Sequence, residues 1–122
     1  MSVPLQALAD PAAVAGTVGL FALFLSATAH LAARNVLGDV AVRKAFAVGP
    51  LPAAIAVVGT AFDVPAAVSV AAALAVDGGL IRVVYGRDWR LSAYVTLIHV
   101  VVSIILGAVL FSLVSLLSTV PG

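Results

Sequence analysis

Residues 92–118 read SAYVTLIHVVVSIILGAVLFSLVSLLS, from Ser92 to Ser118, without one Asp, Glu, Lys or Arg. At about 1.5 Å per residue, a helix over that stretch is about 40 Å long. A bilayer's hydrocarbon core is ~30 Å thick, so a run this long and this apolar reads as a membrane-crossing helix. Helix is the only open choice for a single such run, because lipid offers backbone N–H and C=O groups no partner.

Three further apolar runs precede it, at about 65–81, 45–62 and 11–33. The sequence therefore predicts an all-α polytopic membrane protein: four transmembrane helices in a bundle, forming a single domain over residues 1–122. Composition agrees, with 64% hydrophobic and 9% charged residues against roughly 45–50% and 25% in soluble domains. Ala and Val dominate, no cysteine is present, and the net charge is +1. Disulfides and thiolate chemistry are thereby excluded, and there is no broad basic surface for nucleic acid. The five acidic residues are all Asp, and a single Lys stands against five Arg, which points to a GC-rich genome.

The first span opens on Asp10-Pro11, an N-cap followed by a residue suited to the first helical turn. Met1-Ser2-Val3-Pro4 carries no positive charge, and the apolar run after it is too long for a signal-peptide core, so a retained span is expected. The second span contains Gly49-Pro50-Leu51-Pro52. Two prolines cannot both continue the hydrogen-bond ladder, so Gly49, Pro50 and Pro52 predict a kinked or broken helix. Asp63-Val64-Pro65 reads as a second cap-and-proline start, here for the third span.

Charge orients the bundle. Arg34, Arg43 and Lys44 fall in the segment 34–44, and Arg82, Arg87 and Arg90 in 82–91, whereas the opposite side has only Asp10 and Asp63. The positive-inside rule then puts both basic loops in the cytoplasm and both termini outside, in the cell membrane. Tyr85, Trp89 and Tyr94 gather at the same boundary, as an aromatic belt does. Arg34, Arg43 and Lys44 also form a small basic patch suited to anionic headgroups, although setting topology is sufficient reason for them.

Two short similarities bear on internal duplication. Asp10-Pro11-Ala12-Ala13 resembles Asp63-Val64-Pro65-Ala66-Ala67, and Arg34-Asn35-Val36-Leu37-Gly38 resembles Arg82-Val83-Val84-Tyr85-Gly86. Chance matching in an Ala-rich chain is the competing account. Small residues (Gly16, Gly19, Ala53, Gly59, Ala66, Ala71) are of the kind that lets helices approach in lipid. On the last helix, Thr96, His99, Ser103 and Gly107 form a stripe expected to face protein. Val95, Val102, Leu106, Val109 and Leu113 are expected on the other side, toward lipid or another copy.

His30, Asp77 and His99 are the only ionisable residues inside the spans, on three different helices at one depth. Intramembrane ionisable groups are costly and turn toward the bundle interior or a wet cavity. Four readings stay open: a structural network locking the helices, a proton or cation pathway, a two-histidine, one-carboxylate metal site, and bis-histidine haem ligation. No His-x-x-His or His-x-x-x-His spacing supports the metal and two further ligands are not evident, so no metal and no cofactor are expected. No catalytic residue is expected either, because no nucleophile motif, phosphate loop or carboxylate pair is present.

Ala29-His30-Leu31-Ala32-Ala33-Arg34, Arg43 through Pro50, and the Asp77–Tyr85 stretch resemble uncharacterised four-span membrane proteins of haloarchaea. That resemblance implies the four-span fold and no activity. Span number alone is similar to small multidrug transporters, but those depend on a membrane-embedded glutamate and this chain has none. The expected role is a non-enzymatic integral membrane protein, self-associating or serving as an accessory subunit of a larger membrane complex. Its partners would be the lipid bilayer and copies of itself or other membrane subunits, with no nucleic acid. A small transporter or channel using His30, Asp77 and His99 is the alternative, and a haem- or metal-binding anchor the third.

Overall fold

A computed structural model describes residues 10–121; Met1–Pro4 and Gly122 lie outside the described residues. Five helices follow one another: α1 (Pro11–Leu37), α2 (Val42–Val48), α3 (Pro50–Ala61), α4 (Ala66–Tyr85) and α5 (Trp89–Ser118). Together α2 and α3 make one span, Val42–Ala61, bent by 30°. The fold is thus all-α, with four helices long and apolar enough to cross a membrane, which points to a membrane location.

Short connections make chain neighbours antiparallel. α1 packs on α2, α3 and α5, while α4 packs on α2, α3 and α5, so the four spans form a ring in chain order. The core lies at one end, where Ala29, Ala32 and Ala33 of α1 meet Ala45, Val48, Ile81, Tyr85 and Val95. Alanines at that crossing let backbones come close, the packing on which helices in lipid depend. Farther along, the bundle is faced with exposed apolar side chains such as Phe111 and Leu117. Lipid is their natural solvent.

The bend has a chemical cause. Pro50 and Pro52 have no N–H, so the carbonyls of Phe46 and Val48, four residues earlier, lose their helical donors. The ladder is carried across by Gly49 N–H to Ala45 O (3.0 Å) and Ala53 N–H to Gly49 O (3.2 Å). Gly49 itself has ordinary helical angles (φ −67°), so it is required for space. A Cβ there would stand 2.8 Å from Ser26 Cα, which means α1 crosses the second span directly on the bend.

Helix ends differ from the expected boundaries in instructive ways. α1 and α4 run about one turn past 33 and 81, keeping Arg34 and Arg82 helical in their last turns. Cations there complement the helix dipole, and long Arg stems reach the headgroup layer. Each helix is closed by a glycine with positive φ. Gly38 (86°) and Gly86 (65°) donate N–H groups to Arg34 O (3.1 Å) and Arg82 O (3.0 Å). Arg34–Gly38 and Arg82–Gly86 thus share a glycine that donates to the arginine carbonyl, but the caps differ, since Gly86 is left-handed (ψ 30°) and Gly38 is not (ψ −131°). Asp10 accepts from Ala12 N–H at 3.1 Å, and Asp88, accepting from Leu91 N–H at 2.9 Å, starts α5 three residues before Ser92.

Asp63 is not the N-cap of the third span. It sits in the left-handed region (φ 58°) as the residue that closes α3. Val64 N–H reaches Gly59 O (2.8 Å) and Asp63 N–H reaches Thr60 O (3.3 Å), the bond pair of a Schellman closure. α4 begins behind Pro65 with no side-chain cap. Three other expectations also change. Val95 is in the core because it stands four residues from His99 and so shares its face. Tyr85 is buried beneath Lys44, whose Nζ lies 5.9 Å from its ring centroid, which leaves Trp89 and Tyr94 on the exterior. Gly16 and Gly19 face open space; the close approaches are Gly49 on Ser26 and Gly59 on Ser69.

Candidate functional site

Asp77 projects from α4 and His99 from α5, and they meet in the buried interior: His99 Nδ1 is 2.7 Å from Asp77 Oδ2. This is the one ion pair among the described residues. The other ring nitrogen, Nε2, faces α1, 3.0 Å from Leu25 O and 2.9 Å from Thr28 Oγ1. Ser103, one turn along α5, donates to Thr28 Oγ1 at 2.8 Å, and Thr28 donates to Leu25 O at 3.1 Å. One polar network therefore ties α1, α4 and α5 together.

Counting donors assigns the protons. Leu25 O can only accept, and the Thr28 proton is already directed at it. Thr28 oxygen takes the Ser103 hydroxyl, so His99 Nε2 contributes an N–H to this end of the network. At the other end, Nδ1 and Oδ2 at 2.7 Å need a proton between them, or two lone pairs would collide. The contact is therefore a hydrogen bond that joins α4 to α5 in the buried interior.

Three sequence-derived candidates were expected at one depth, and two of them join. His30 takes no part in the network; its Nδ1 is buried without a hydrogen-bond partner. Helical geometry gives the reason. Thr28 faces His99, and His30 is two residues on, about 200° around α1. The two-histidine, one-carboxylate set is therefore not assembled, and among the described residues no three His, Cys, Asp or Glu side chains converge as metal ligands. With both nitrogens engaged, His99 also has no lone pair to offer a haem iron in this arrangement.

Asp77 Oδ1 is buried with no partner. Asp77, His99 and Ser103 border a cavity of about 210 Å³ whose other walls include Phe21, Leu25 and Pro52. Pro52, at the bend of the second span, brings α3 into that wall. Of the basic residues expected to orient the chain, Arg34, Arg43, Arg82, Arg87 and Arg90 are exposed and Lys44 is half-buried, and none of them is ion-paired with Asp77. Thr28 and the Leu25 carbonyl were missed by sequence reasoning, since a threonine in an Ala-rich helix resembles any packing residue. A usable signal exists: Ser26, Thr28, Ala29, Ala32 and Ala33 collect the small residues of α1 on its buried side.

A family model matches residues 8–121, which takes in all four spans and the Asp77–His99 network. The chain belongs to DUF7473. DUF7473 is described as a family of unknown function. No curated protein and no solved structure matches the chain.

Proposed function

We propose that this protein is a non-enzymatic integral component of the cell membrane that acts by assembling, either with itself or as an accessory subunit of a larger membrane complex. The observation that carries this reading is how the polar cluster is used. Its hydrogen bonds run between α1, α4 and α5, and a network so directed fixes helix register. The loops between spans are a few residues long, leaving the membrane-facing surfaces as the place where function resides. Loops 34–44 and 82–91 lie on the cytoplasmic side by their six positive charges. Native mass spectrometry after gentle solubilisation tests the reading: a homo-oligomer or a second polypeptide is expected, and a bare monomer across mild detergents overturns it.

A second reading, transport of a proton, cation or small solute, is favoured by Asp77 Oδ1, a buried carboxylate oxygen left without a partner beside the 210 Å³ cavity. In that case Asp77→Asn abolishes flux in proteoliposomes while insertion is unchanged. Flux equal to that of the parent, or none in the parent, removes it.

A further inference from the structure

A groove of about 540 Å³ runs between α4 and α5 on the outer face of the bundle. Its floor is open where Gly79 presents no side chain, since a Cβ there would meet nothing within 4 Å. Leu74, Leu97 and Val100 line its deep end, and Arg82 and Trp89 its mouth. Thr96 and Ser92 also border it, but their hydroxyls are spent on their own helix, on Ser92 O (2.7 Å) and Asp88 O (2.8 Å). The walls are therefore apolar in effect. Among the described residues no carboxylate lies within ion-pair reach of Arg82, and Trp89 is 67% exposed.

We propose that this groove binds an anionic phospholipid, with the headgroup phosphate on Arg82 and one acyl chain lying over Gly79 toward Leu74 and Val100. Dimensions fit. Arg82 to Leu74 spans about 12 Å and Trp89 to Val100 about 16 Å at the helical rise, and one leaflet's hydrocarbon layer is half of ~30 Å. Chemistry fits as well. A guanidinium pairs with a phosphate through parallel N–H bonds, and tryptophan settles at headgroup level. An apolar groove with one cation at its membrane-surface end matches a molecule with a negative head and an alkyl tail.

The test uses full-length delipidated protein in neutral detergent, titrated with phosphatidylglycerol, phosphatidylcholine or inorganic phosphate. Melting temperature and native-mass adducts are read together. Phosphatidylglycerol should raise the melting temperature by several degrees and survive as an adduct, with phosphatidylcholine weaker and inorganic phosphate inert. Arg82→Gln should erase the preference for the anionic lipid. Gly79→Leu should erase the shift for both lipids without lowering the unliganded melting temperature, because the site is open and Leu is the better helix former. Equal shifts by both lipids, an Arg82→Gln variant that keeps the preference, or a Gly79→Leu variant that still responds would each overturn the proposal. A shift by phosphate alone would reduce the site to an anion contact. Loss of an oligomer in Gly79→Leu would assign the groove to a second copy of the chain.

Discussion

Asp77 and His99 are worth most to the fold as a unit, and that has consequences for single substitutions. His99→Leu strips Asp77 Oδ2 of its partner and leaves a buried carboxyl group with neither oxygen bonded. Breaking a buried pair from one side costs about 3–5 kcal/mol, and we expect His99→Leu to be the most damaging change in the network. Thr28→Val keeps the volume and removes one acceptor, at about 1 kcal/mol by the scale of interhelical bonds in membranes. Asp77→Asn still reaches His99 Nδ1 and should cost little. Replacing both partners, Asp77→Leu with His99→Leu, should cost less than His99→Leu alone, because no polar group is then stranded. Unfolding titrations in mixed detergent order the four variants; an Asp77→Asn as damaging as His99→Leu would contradict the pairing. Which side chains could form a polar cluster was legible here, since ionisable groups are so rare within the spans. Which of them meet was not. Depth can be counted along a helix, but the azimuth of His30 depends on how α1 is rolled against α5, and that is set by the small face at Ser26, Ala29 and Ala33.

At the scale of an element, the bent second span depends on one close contact. A Cβ at Gly49 meets Ser26 backbone, 2.8 Å from its Cα, whereas one at Gly59 meets chiefly the Ser69 side chain, with Cβ at 3.1 Å. Backbone cannot swing aside as a hydroxymethyl can. Gly49→Ala should therefore destabilise by about 1–3 kcal/mol, the usual cost of overpacking, and Gly59→Ala by clearly less; thermal melts of the two variants decide. Asp63 supplies a second test. A non-glycine residue at φ 58° is held there by the α3 closure, so Asp63→Gly should be tolerated, while β-branched Asp63→Val should lower the melting temperature. These two cases also show what the chain discloses. Gly-Pro-Leu-Pro announces a bend because proline's missing N–H is a covalent fact. Asp63-Val64-Pro65 resembles a helix start equally well from either side, and only the sign of a backbone angle distinguishes a cap from a closure. Span ends were similarly underread at 33 and 81, because a charge in a hydropathy pattern looks like an exit while an arginine stem keeps its backbone helical.

For the whole molecule, the governing asymmetry is electrostatic. Arg34, Arg43, Lys44, Arg82, Arg87 and Arg90 collect at the end of the bundle that holds the 38–41 and 86–88 connections, and the 62–65 connection carries only Asp63. Cationic loops resist translocation far more than acidic ones, so a bias this uneven should give a single orientation. The natural absence of cysteine makes that measurable without background. Asp39→Cys places a thiol in an exposed turn on the basic side, and Phe62→Cys one at an exposed position on the other. A membrane-impermeant maleimide applied to intact cells should label the Phe62→Cys variant alone and reach Asp39→Cys only after the cells are opened. The reverse pattern would invert the protein and place the Arg82–Trp89 mouth of the groove in the outer leaflet. Labelling of both variants in intact cells would mean mixed orientation, and six charges on one side would then be insufficient to set topology in this chain.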